Sequence, residues 1–102
     1  MKYVYNKLVR DKIPEEINNI EGRKASYKIL DDEEYLQELD KKLFEEAHEF
    51  VEGHSVDELA DLTEVISTIM KLKNISEEDV EKARKIKNDK RGRFDNKIYL
   101  ID

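Results

Sequence analysis

The sequence predicts an all-α protein, or one that is mainly so. Of its 102 residues 43% are charged and 38% hydrophobic, with only three Gly and one Pro, a composition that suits helices better than a many-turned β fold. Through the centre of the chain apolar residues recur at three- and four-residue spacings, from Tyr35 to Phe50 and again from Val56 to Leu72, the period of a helix with one buried face. The length fits one domain, residues 1–102, whose modest core leaves long amphipathic helices in need of a second subunit. A homo-oligomer is therefore expected.

The elements follow from local signals. Pro14 suits the first turn of a short helix over residues 14–20, which Glu21-Gly22 ends. Residues 25–30 alternate weakly and read as extended. Asp31 or Asp32 caps a long helix reaching about Glu52, with acids in its first turn and Gly53 as its stop. Ser55-Val56-Asp57-Glu58 has the form of a capping box and opens a third helix to about Lys73, closed by Asn74. Ser76 caps a fourth helix to about Arg91, ended by Gly92. Residues 97–101, Lys-Ile-Tyr-Leu-Ile, read as a short strand that pairs with residues 26–30. The third helix is apolar over about two-thirds of its circumference, more than one hairpin partner covers.

Charge and composition exclude several classes. The net charge of −6 hides an uneven distribution: residues 31–64 hold fourteen acids against Lys41 and Lys42, whereas residues 82–97 hold eight basic side chains against Asp89 and Asp95. An acidic middle with basic ends lacks the continuous basic face of a nucleic-acid binder. No run of 18 apolar residues and no charged-then-apolar leader is visible, so neither membrane association nor secretion is expected and the location is read as cytoplasmic. With no cysteine, disulfides, thiolate nucleophiles and cysteine zinc sites are absent.

Two acids stand where a helix should bury something apolar. At about 100° per residue, Glu46 falls between Tyr35 and Leu39 on the stripe that carries Leu36, Leu43, Ala47 and Phe50, and Glu58 lies among Leu62, Val65, Ile69 and Leu72. A second acid follows each after three residues, Glu49 and Asp61. A buried carboxylate without a partner normally takes up a proton or finds a cation. The short break at Gly53-His54-Ser55 makes the two helices an antiparallel hairpin, placing Glu49 and Glu58 roughly 6–8 Å and Glu46 and Asp61 roughly 10–12 Å from the turn at about 1.5 Å per residue. The four acids then line a cation cradle. Oxygen-only ligands select hard ions, Mg²⁺ first and Mn²⁺ as a substitute, and Mg²⁺ commonly binds substrate phosphates as well.

Glu45-Glu46-Ala47-His48-Glu49 followed by Glu58-Leu59-Ala60-Asp61 resembles the EExxE…ExxD signature of the all-α nucleoside triphosphate pyrophosphohydrolases, the superfamily of MazG, dimeric dUTPase and phosphoribosyl-ATP pyrophosphohydrolase. Tyr5-Asn6-Lys7-Leu8-Val9-Arg10-Asp11-Lys12-Ile13-Pro14 and Arg91-Gly92-Arg93-Phe94 are similar to the short single-domain branch described as phosphoribosyl-ATP pyrophosphohydrolase-like. The resemblance spans nearly the whole chain. It implies a MazG-like helical bundle, dimeric or tetrameric, that uses Mg²⁺ to hydrolyse the α–β phosphate bond of a nucleotide, releasing a monophosphate and pyrophosphate, in a house-cleaning role. Carried over residue by residue, it makes Glu46, Glu49, Glu58 and Asp61 the metal ligands. Glu45 reaches either a second metal or water, or points to solvent.

No Ser or Cys nucleophile with a supporting base can be assembled, which leaves a metal-activated water as the attacking group and a carboxylate, Glu49 first and Glu45 second, as its base. Lys7, Arg10 and Lys12 before the first helix, and Arg91 and Arg93 around the last glycine, are candidates for the substrate phosphates. Each taken alone reads more simply as a surface ion pair. Lys42, one turn before Glu46, forms an i,i+4 pair or, less simply, a phosphate contact. Glu58 alone reads as a capping residue. Glu45 and His48 form an E-x-x-H step like those of di-iron bundles, but no second copy exists and His48 lies away from the Glu46 face. His54 is a turn residue. A non-catalytic helical oligomer or regulatory partner and a di-iron carboxylate protein are thus the competing classes.

Overall fold

A computed structural model describes residues 6–102, so that Tyr5, at the head of the amino-terminal motif, lies outside the described residues. Four helices follow one another: α1 (Ile13–Glu21), α2 (Asp32–Gly53), α3 (Val56–Leu72) and α4 (Glu77–Arg91). Three of them start where a side chain satisfies an orphan amide. Asp31 accepts the Glu34 N–H at 2.9 Å, Ser55 that of Glu58 at 3.1 Å, and Ser76 that of Asp79 at 3.0 Å, the N-cap geometry that these residue types favour. α1 has no side-chain cap and begins instead with Pro14 in its first turn, where a missing N–H costs nothing.

The helix stops differ in one place from the reading above. Gly22, Asn74 and Gly92 all adopt positive φ at or just beyond helix ends. Gly53 does not; it remains helical, and His54 takes the left-handed position at φ 51°, donating its N–H to the Phe50 carbonyl at 2.6 Å. Its ring meets Phe50 edge-on with centroids 5.2 Å apart. Gly53 serves another purpose, because a Cβ at this position would overlap the Glu58 carboxylate. The glycine lets the first turn of α3 fold back over the end of α2.

The expected terminal strand pairing is a correction. Residues 26–30 and 97–101 are both irregular, and no strand occurs among the described residues. An isolated extended segment has no ladder to stabilise it, and neither segment lies along a partner backbone. Phe94, Ile98, Tyr99, Leu100 and Ile101 are all exposed.

α2 and α3 pack as the antiparallel hairpin, and they are the one pair of helices in close backbone contact among the described residues. Leu39 and Val65 are buried. The helical period divides the hairpin into two flanks. Lys42, Glu45, Glu46 and Glu49 of α2 share one side with Asp61 and Glu64 of α3. The other flank carries Phe44 and Val51 of α2 beside Leu59 and Ile66 of α3, all exposed, with Phe44 77% accessible. The amino-terminal segment and α1, whose Ile17 is buried, stand over the Lys42, Glu46 and Asp61 part of the acidic flank, while Glu45, Glu49 and Glu64 stay exposed.

The apolar flank is uncovered among the described residues, and the overall dimensions agree. The surface of 9574 Å² compares with about 6,000 Å² for a compact monomer of this size. The radius of gyration of 18.3 Å compares with about 13 Å. α4 packs closely on none of the described helices. Its internal ion pairs, Lys82–Glu78 at 3.2 Å and Lys85–Asp89 at 2.9 Å, add only a few tenths of a kcal/mol each by the usual worth of about 0.3–0.5. Helices of this length are marginal on their own.

Candidate functional site

The site is built where α2 and α3 face each other near their connection. Glu46 is 7% exposed and is the buried charged side chain among the described residues. One of its oxygens, Oε1, lies 3.6 Å from Lys42 Nζ. The other, Oε2, is buried with no hydrogen-bond partner. Burial pushes the Glu46 carboxyl above the ordinary 4.5; Glu49 adds to the rise and so does Asp61, while Lys42 opposes it. Burial first, and then two neighbouring carboxylates, disfavour one more negative charge here.

Asp61, one turn into α3, accepts a hydrogen bond from Arg10 Nη2 at 2.8 Å. Lys42 also reaches Glu45 Oε1 at 3.6 Å. Glu58 is engaged at the helix start, where its Oε1 accepts the Ser55 hydroxyl at 2.8 Å while its own N–H donates to that hydroxyl at 3.1 Å. Ser55 is thus the cap, and Glu58 is held by its hydroxyl rather than by the Ser55 backbone N–H of a complete capping box. Among the described residues no group of three acids already converges as a metal cage; Arg10, Lys42 and Ser55 stand among the carboxylates instead. The donor set nonetheless fits a hard divalent cation. A buried, unpartnered carboxylate oxygen at Glu46, with Glu49 and Asp61 near enough to perturb it, is the environment such an ion relieves.

Two adjoining clefts of ≈ 400 and ≈ 520 Å³ open between the amino-terminal segment, α1 and the hairpin. Arg10, Lys42, Glu46 and Asp61 line both. Lys7 stands on the wall of the first and Lys12 on that of the second, so the amino-terminal cations singled out in sequence meet the acids. Arg91 and Arg93, at the end of α4, line neither cleft, and neither do Glu45, Glu49 and Glu58. His48 is turned to solvent and pairs with Glu52 at 3.0 Å, as its position in the helical period requires.

Sequence reasoning missed the apolar wall opposite the acids, formed by Val9, Ile13, Ile17 and Ile20. The signal was present, since Ile13, Ile17 and Ile20 follow the i, i+4, i+7 pattern of one helical face. Glu64 and Thr68, on the second cleft, continue the Asp61 side of α3 and follow from the same period. No family model matches the chain, and neither does any curated protein or solved structure.

Proposed function

We propose that the protein is a Mg²⁺-dependent nucleotide pyrophosphohydrolase of the cytoplasm, cleaving the α–β phosphate bond to a monophosphate and pyrophosphate. The observation that carries this reading is the unpartnered Oε2 of buried Glu46 on a cleft rimmed by Lys7 and Arg10. Acids at the floor suit a hard cation, and cations at the rim suit the phosphates it would bring. Glu46, Glu49 and Asp61, with Glu58 after a turn away from Ser55, would hold Mg²⁺ or Mn²⁺, which supplies an activated water and neutralises developing phosphate charge. Glu49, where it is not fully committed to the metal, would take the proton from the attacking water. Lys7, Arg10 and Lys12 orient the phosphates, and the apolar wall excludes water behind them.

A screen of nucleoside triphosphates with Mg²⁺, read by pyrophosphate release, tests the reading. Pyrophosphate rather than orthophosphate is the expected first product. Reaction in ¹⁸O-labelled water is expected to place the label on the monophosphate; label confined to pyrophosphate would place the attack on the other phosphorus.

The exposed flank around Phe44, Val51, Leu59 and Ile66 supports a homo-oligomer, at least a dimer, in which a second hairpin covers that flank and the acids face outward. The expected result in sedimentation at micromolar concentration is a dimer or larger, converted to monomer by Phe44→Lys with Ile66→Lys. A wild-type monomer would refute this assembly. The second reading, a non-catalytic helical oligomer, draws on the same flank and on the engagement of Glu58 with Ser55; it predicts no turnover and no stabilisation by Mg²⁺.

A further inference from the structure

We infer that Arg10 is the resident counter-cation of Asp61, displaced when a divalent cation binds beside Glu46 and thereby released to hold the phosphates of the bound anion. This rests on the metal-dependent reading above and adds to it a coupling between metal binding and the amino-terminal segment. The Arg10–Asp61 contact at 2.8 Å bridges 51 positions of sequence. Among the described residues every other side-chain hydrogen bond joins positions no more than seven apart. Arg10 is therefore the polar tether between the segment before α1 and the hairpin.

Charge explains why the tether is replaceable. Glu45, Glu46, Glu49 and Asp61 are opposed by Lys42 and Arg10, a formal deficit of two positive charges when all four acids are ionised, and Glu46 Oε2 has no partner. Exchanging the single charge of the guanidinium for a divalent ion lowers that deficit from two to one. The Arg10 and Asp61 side chains are 64% and 46% exposed, and solvent-exposed pairs of this kind are weak, so an ion bound directly to Asp61 replaces the guanidinium readily. Freed Arg10 stays on the cleft rim beside Lys7, where its planar fork suits two phosphate oxygens. Linkage makes the effect reciprocal: whatever Arg10 gains from Asp61, the metal loses.

The test is Mn²⁺ binding to the whole chain, followed by water-proton relaxation without nucleotide, in wild type, Arg10→Gln and Asp61→Asn. Arg10→Gln is expected to bind Mn²⁺ more tightly, by up to about fivefold, which at about 1.4 kcal/mol per tenfold is about 1 kcal/mol, the upper end for an exposed pair. Asp61→Asn is expected to bind weakly. Unchanged or weaker binding by Arg10→Gln would make Arg10 a support for Asp61, overturning the inference while the metal site stands. Absence of Mn²⁺ binding in wild type would remove both. Amide hydrogen exchange in wild type provides a measurement independent of any variant: Mg²⁺ is expected to speed exchange over residues 7–13, and unchanged or slower exchange would overturn the release.

Discussion

Glu49→Gln is expected to lower pyrophosphate release by about 10²–10⁴-fold, the usual contribution of a positioned base, while His48→Ala stays within about twofold of wild type. The contrast follows from where the neighbouring side chains are held. Glu58 is tied to Ser55, Asp61 to Arg10, and Glu46 is buried against Lys42. Glu49 makes no ion pair among the described residues and lies close enough to Glu46 to raise its carboxyl. Of Glu46, Glu49, Glu58 and Asp61 it is the one that pairs with no cation or hydroxyl among the described residues, and so the base the proposed reaction would use. His48, one position earlier, projects about 100° away and is occupied with Glu52. Steady-state kinetics on both variants with saturating Mg²⁺ decides the matter. Equal losses would show a disturbed helix rather than a lost base, and no loss in Glu49→Gln would move the base to Glu45.

The helices and the hairpin were legible because they depend on local chemistry. Ser55 and Ser76 cap where hydroxyl residues cap, and the apolar stripes of α2 and α3 follow the helical period onto a common interface. The burial of Glu46 was legible for the same reason: its angle among Tyr35, Leu39 and Leu43 decides it. Contacts between distant parts of the chain were not. No spacing rule joins Arg10 to Asp61, and none shows that Gly53 is needed for the approach of Glu58 rather than for a left-handed stop. The β expectation for residues 97–101 failed because a β-favouring composition gives a strand only where a second backbone lies alongside. Lys42 was read correctly as the i,i+4 partner of Glu46, since both ends of that contact lie on one helix.

Glu46→Gln is expected to raise the melting temperature in chelator at pH 7 and to abolish the rise that Mg²⁺ gives the wild type. The sign follows from the direction of the Glu46 shift. Its carboxyl is raised above 4.5 in the folded chain, first by burial and then by Glu49, so the folded state favours the neutral form. The stability gained from that preference is fully present below about pH 4.5 and is lost as pH rises through the raised folded value. At pH 7 without metal the ionised group opposes folding, and an uncharged amide of nearly the same shape removes the opposition. Below pH 4.5 the two proteins are expected to melt alike. Added Mg²⁺ reverses the order: at a hundredfold excess over its dissociation constant a site on the folded chain adds about 2.7 kcal/mol, or about 10–20 °C at roughly 4–8 °C per kcal/mol for a chain of this length. The amide, lacking a charged oxygen, gives up most of that gain. Thermal melts of both proteins at pH 4 and pH 7, each in chelator and in Mg²⁺, measure all four terms. A wild type more stable than Glu46→Gln in chelator at pH 7 would mean that Lys42 already satisfies the buried carboxylate, and an equal response of the two proteins to Mg²⁺ would place the cation elsewhere.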